Sequence, residues 1–255
     1  MTADSRTSVG LYWLPLGAGG HFVRLNGRLF EAVAARLGKR PPRDLYHSAL
    51  EVSVPEGKFV IELAPVPDGE GAMRGVVAEG PVGSSKARSL RVFRYENRCW
   101  RDGVIPDLAE AVESPQRLTD DGVLAQRVLD LVPQAPTPVW GRDELAAGEM
   151  WNSNSLISWL LERSGIGADA VRLPARGRAP GWSAGVVVAR RLASAAIDLQ
   201  GAGEIGDRKE ADKPPVVEDE RSAEIVVTEP LERVREVVVS ADHGDLVESE
   251  HAVAD

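Results

Sequence analysis

A single cysteine, Cys99, in 255 residues excludes an intrachain disulfide framework and any Cys-rich zinc site. A reducing, cytoplasmic compartment is therefore the expectation. No apolar run approaches twenty residues, so no transmembrane helix is expected. The polar start, MTADSRTSVG, lacks the basic stretch and apolar core of a secretory signal. Histidine is scarce as well. Of the four, His243 and His251 fall in the last 55 residues, which leaves His21 and His47. A multi-histidine metal site is excluded on that count, and no metal or other cofactor is expected. Basic excess is missing too: the net charge is −9, which argues against a nucleic-acid partner. The chain has no phosphate loop ending in Gly-Lys-Ser/Thr, no GxSxG elbow and no HExxH. Gly165–Ala170 matches GxGxxA, but it follows a predicted helix rather than a strand, against a dinucleotide site.

The charge that is present is unevenly placed. From residue 201 onward there are 16 acidic and 6 basic residues and no Trp, Tyr or Phe. Such a segment buries too little apolar surface to offset its chain entropy. Residues 201–255 therefore read as a largely disordered acidic tail behind one folded domain at 1–200. Within the tail, Leu231, Val234 and Val238 fall at helical spacing. A basic protein partner would suit so acidic a segment.

In 1–200, Ser8–Leu14 and His21–Leu25 read as strands around the turn Gly17–Gly20, and Gly27–Leu37 as a helix. Tyr46–Val54 and Lys58–Ala64 form a predicted hairpin across Pro55-Glu56-Gly57. Arg74–Val77 and Ser89–Tyr95 are further strand candidates, with Gly80–Ala87 as loop. Thr119–Val132 reads as a helix capped by Thr119 or Asp120, with Leu124, Val128 and Leu131 inward. Asn152–Ser164, closed by Gly165, is a second helix and Ser183–Leu199 a third. Strands precede helices, so the expected fold is α+β, an antiparallel sheet packed against helices.

Three stretches carry the chemistry. His47 opens a strand. Glu62 sits in the apolar run Phe59–Leu63, where a carboxylate is costly to bury unless paired. A turn centred between Pro55 and Glu56 sets His47 opposite Ala64 and Glu62 opposite Ala49. His47, Ala49, Glu62 and Ala64 then share one face, with the imidazole and carboxylate as diagonal neighbours. Such a pair could orient a general base or be purely structural. The third stretch is Trp151-Asn152-Ser153-Asn154-Ser155-Leu156, four small polar residues opening an apolar helix. One of them caps the helix. The same free N–H groups and dipole end would stabilise an oxyanion.

The order of these elements resembles the circularly permuted NlpC/P60 superfamily, the papain-like group that includes lecithin:retinol acyltransferase-like proteins. That family carries a strand histidine, a polar residue on the next strand, and an Asn-Cys-x-x-Phe helix start downstream. Asn152-Ser153-Asn154-Ser155-Leu156 is similar, with Ser153 at the cysteine position, His47 at the histidine position and Glu62 near the third polar residue. Trp151–Leu161 and Gly177–Gly185 also look similar to actinobacterial proteins, and 25 Arg against 5 Lys fits a GC-rich genome. The resemblance implies a permuted papain-like fold. It also implies a hydrolase or acyl-transfer enzyme acting on an amide or ester. Ser153 would be its nucleophile, His47 its base and Glu62 the orienter, with an oxyanion site at the Asn152–Asn154 helix start. His21, Trp151 and Trp182 would line the cleft. A serine hydroxyl titrates far above a thiol, so Ser153 would need base-assisted attack. A serine in a cysteine slot also suits a chain that has lost its chemistry and binds a peptide or lipid-like ligand without turnover. Cys99 reads as strand end rather than helix start. Arg172, Arg176 and Arg178 near Trp182 are candidates for an anionic group or for solvated loop positions.

Overall fold

The computed structural model describes residues 7–16, 39, 41, 43–66 and 75–210, with side chains omitted at 87, 88, 92 and 197–210. The turn, strand and helix expected over residues 17–37, and His21 with them, lie outside the described residues, as do residues 211–255.

The order of elements begins with strands. β1 (Ser8–Pro15), β2 (Asp44–Val54) and β3 (Gly57–Pro65) are followed by β4 (Val76–Pro81), β5 (Arg94–Arg101) and β6 (Val112–Thr119). Helices then dominate: α1 (Gly122–Leu131), α2 (Ser153–Ser164) and α3 (Trp182–Glu210), with a two-residue strand β7 (Gly177–Arg178) before the last. The sheet runs β4-β5-β3-β2-β1-β6, and β7 joins β2 in parallel. All other strand pairs are antiparallel. The fold is thus α+β, an antiparallel sheet with helices on it. By chain contacts it divides into Met1–Gly206 and Asp207–Asp255; the second unit enters the described residues only through the last turn of α3.

Both sheet faces are dry at the centre. Val9, Leu11 and Trp13 of β1 join Leu50 and Val52 of β2 and Ile61 and Leu63 of β3 in the larger core, under the helices. The alternate residues Tyr12, Leu14, Ala49 and Val60 form a smaller cluster on the opposite face with Ile105, Trp100 and Ala111. This two-sided burial is why the strands read as near-continuous apolar runs. Helix α2 is buried almost all round, from Ser153 to Leu161, and packs on α1, β2 and β3. Gly185 of α3 lets that helix approach closely, since a Cβ there would collide with the Ser155 carbonyl and the Ser158 hydroxyl.

The hairpin follows its expected register: Val54 pairs with Gly57 and Leu50 with Ile61. Several boundaries differ. The strands expected at Arg74–Val77 and Ser89–Tyr95 lie further along, and 3₁₀ turns occupy Ser85–Ser89 and Arg91–Phe93. Gly80 and Pro81 look like breakers but belong to β4. The Tyr95 ring fills the space where a Gly80 Cβ would stand, and an edge strand tolerates Pro81. β6 was not expected, because its polar, proline-containing sequence is that of an edge strand; it pairs with β1 and keeps Thr119 in the ladder. The α1 cap is consequently Asp121, whose carboxylate accepts from the Val123 and Leu124 amides, rather than Thr119 or Asp120. Ala125, Val128 and Leu131 are its buried residues, with Leu124 half-buried. α3 continues to Glu210 and so takes in the first ten residues of the expected tail.

Candidate functional site

The opening of α2 is the densest polar cluster under the helices. Asn152 is the N-cap. Its Oδ1 accepts from the Asn154 and Ser155 amides at 2.9 and 3.3 Å, and its own amide donates to the Ser155 hydroxyl at 3.1 Å. The Asn152 side-chain amide donates to the Pro180 carbonyl at 2.9 Å. Asn154, 2 % exposed, is fully engaged. Its Nδ2 donates to the Tyr46 and Pro180 carbonyls, both at 2.9 Å, and its Oδ1 accepts from the Ser48 hydroxyl at 2.9 Å. The Ser155 and Ser158 hydroxyls donate to the Gly181 and Trp182 carbonyls, each at 2.7 Å. A Cβ at Gly181, whose φ is +83°, would strike Asn152 Oδ1 and the Met150 carbonyl. The cluster therefore ties α2 to β2 and to the turn that begins α3. The expected oxyanion role of the Asn152–Asn154 start is corrected accordingly: the Asn154 amide is already taken by the cap. Ser153, buried at 6 % exposure, has no hydrogen bond to its hydroxyl among the described residues.

His47 is not beside it. Side chains alternate faces along a strand. Ser48 reaches α2. Tyr46, Leu50 and Val52 belong to the core under the helices, whereas Ala49 belongs to the opposite cluster. His47 pairs across the ladder with Leu14, another member of that opposite cluster. The imidazole and the Ser153 hydroxyl thus lie on opposite faces of the sheet, and the expected nucleophile–base pair is not assembled. Burial pushes the imidazole down to about 4 despite the nearby Asp107 carboxylate, so it is neutral at physiological pH.

Glu62 does share the face of His47, as the register requires, but it does not orient the imidazole. Its Oε1 accepts from Arg98 Nη1 at 2.9 Å, and Arg98 Nε donates to Glu96 at 2.7 Å. The guanidinium carbon stands 5.8 Å from the centroid of the Trp100 ring. Burial, opposed by the Arg98 hydrogen bond, leaves the Glu62 carboxyl above its ordinary range. The sequence signal for this partner was available: a carboxylate in an apolar run needs a cation, and Arg98 stands opposite it in the β3–β5 ladder.

The remaining candidates are dispersed. Trp151 is 2 % exposed in the core rather than in a cleft. Trp182 packs against Trp13 with ring centroids 5.3 Å apart. Arg172 and Arg176 are exposed, while Arg178 lies 3.8 Å from Glu149. Cys99 packs on the main core, and burial pushes its thiol up to about 11. Far from the α2 start in the sheet order, a cavity of about 310 Å³ is lined by Val66, Val76, Glu79, Arg91, Arg94 and Glu96, none of which the sequence reading singled out. Among the described residues, no group of three His, Cys, Asp or Glu side chains could hold a metal ion, and no helix is long and apolar enough to cross a membrane.

No family model, curated protein or solved structure matches the chain.

Proposed function

We propose that this chain is a non-catalytic binding module for a peptide or lipid-like ligand, built on the permuted papain-like layout. One observation carries the reading: the Ser48 hydroxyl, not the His47 imidazole, meets the α2 start, through Asn154. The two stretches that the family brings together for catalysis are in contact here. The contact is a buried hydrogen-bond staple, and the imidazole belongs to the other face. A hydroxyl without a base is a poor nucleophile near neutral pH. A Ser153 hydroxyl at a helix start is then a small polar residue filling a vacated position.

Fluorophosphonate labelling tests this. The expected result is no adduct on the native chain, and ligand binding that is unchanged in Ser153→Ala. An adduct at Ser153 that disappears in His47→Ala would overturn the reading in favour of a hydrolase.

A further inference from the structure

The chain leaves β5 at Arg101 and enters β6 at Val112, yet β3, β2 and β1 lie between those two strands in the sheet. Residues 102–111 therefore cross three strands, on the face away from the helices, where Ile105 and Ala111 pack. The crossing needs four strand spacings, roughly 19 Å, and ten extended residues reach roughly 33 Å, so this strap is not taut. Its bonds to the sheet are at its start: the Asp102 amide donates to the Lys58 carbonyl at 2.7 Å and the Gly103 amide to the Trp100 carbonyl at 3.3 Å. From Val104 to Ala109 no hydrogen bond reaches a strand among the described residues. In that stretch only Ile105 is buried, at 2 % exposure, while Val104 and Leu108 are 69 % and 41 % exposed. One side chain thus anchors the crossing, which places it at the low end of local stability.

The surface beneath the strap is apolar. Trp100 stands beside Val60 in the ladder and Tyr12 beside Ala49, with Leu14 two residues further along β1. These side chains form a diagonal strip from β5 to β1, three strand spacings or roughly 14 Å wide. Glu51, the partner of Val60, borders it on one side and the Glu62–Arg98 pair on the other.

Three features define what fits there. Ile105 is an alkyl group already seated on the strip. The Trp100 indole N–H is sealed from water and has no acceptor, a costly state for a donor. Gly103 lies over that ring, where a Cβ would come within 2.8 Å of it. The strap carries Asp102, Asp107 and Glu110 and no cation, which disfavours an anionic head group. An alkyl chain bearing a neutral oxygen acceptor meets all three conditions.

We propose that a neutral single-chain amphiphile displaces the 102–111 strap, its alkyl chain taking the place of Ile105 on the strip and its oxygen accepting from the Trp100 indole. The strap is then the cover of a lipid site that opens only as the ligand enters. The inference rests on the binding-module reading above, chooses the lipid-like ligand over the peptide and gives it a place.

The test uses the full chain and monolauroylglycerol below its micelle concentration, read by isothermal titration calorimetry. Saturable binding is expected, weakened about fivefold in Trp100→Phe, which loses the donor. Ile105→Ala removes the group that competes with the ligand. Its melting temperature should fall while its affinity rises about tenfold, because the open state is more populated. A purely structural Ile105 would leave the affinity unchanged or lower it. Should that variant fail to fold, a monoacylglycerol with a diazirine at its chain end decides on the wild type, since its adducts must fall in the β1 and β2 peptides that carry Tyr12 and Ala49. Absence of saturable binding, an affinity that does not rise in Ile105→Ala, or adducts confined to other peptides overturns the inference. None of these results bears on Ser153 labelling, so the two readings fail separately.

Discussion

Ser48 and Asn154 stand 106 positions apart in sequence and share a buried hydrogen bond of 2.9 Å. The same asparagine donates to the Tyr46 and Pro180 carbonyls, so one side chain joins β2, α2 and the turn before α3. Truncating it takes the acceptor from the Ser48 hydroxyl and the side-chain donor from the Tyr46 carbonyl, while the Pro180 carbonyl keeps its bond from Asn152. Asn154→Ala should cost about 3 kcal/mol, and Ser48→Ala nearer 1 kcal/mol, in urea unfolding. Equal small losses for the two would show that the staple does not bear on stability.

The second prediction concerns the buried charges. Arg98 serves both Glu62 and Glu96, with all three largely out of water. Arg98→Met removes the cation that Glu62 and Glu96 share, leaves the buried Glu62 carboxylate without its ion-pair partner, and should destabilise by about 3–5 kcal/mol. Glu62→Gln keeps an acceptor for Arg98, relieves the repulsion from Glu96, and should cost far less. Urea midpoints at pH 7 compare the two, and a larger loss for Glu62→Gln than for Arg98→Met would contradict this assignment.

A third prediction follows from His47. Its native titration is lowered to about 4 from 6.5. Between those values the unfolded chain binds the proton and the native state does not, so stability falls as the pH drops through this window. The full loss is up to about 3 kcal/mol. Glu62 is shifted upward and works in the opposite direction, so the useful quantity is the difference between wild type and His47→Leu. Melting temperatures at pH 7 and pH 5 should separate, with the wild type losing more than the variant. Identical slopes would mean that the imidazole is solvated.

Cys99 offers a simple check on core placement. Burial raises its thiol to about 11, and it packs on the main core. Iodoacetamide at pH 8 should leave the native chain unmodified while alkylating it fully in urea. Rapid native labelling would place β5 differently.

Much of the architecture could be read in the residues. The hairpin register is fixed by Pro55-Glu56-Gly57 and the two flanking apolar runs, and it puts His47 and Glu62 on one face as expected. The bounds of α2 follow from Asn152 as cap and Gly165 at its end, with φ +93°. What could not be read was which face of β2 meets α2. Periodicity groups 47 with 49 and 46 with 48, but both sets are largely apolar or small, and both faces of the sheet are dry. No local rule then chooses between Ser48 and His47 as the neighbour of the helix. The choice is made by tertiary contacts, with Asn154 needing an acceptor in the Tyr46 carbonyl and a donor in Ser48. β6 and Pro81 were hidden for a related reason, since edge strands tolerate prolines and polar residues that local propensity counts as breakers.

The separation of His47 from the α2 start is most directly tested with a thiol as reporter. In Ser153→Cys, the alkylation rate against pH gives the thiol pKa at the helix start. Adding His47→Ala is expected to leave that pKa unchanged within about 0.3 units, because the His47 imidazole lies on the face of the sheet opposite the helix start. A rise of about one unit or more on removing the imidazole would place both groups on one face and contradict the account.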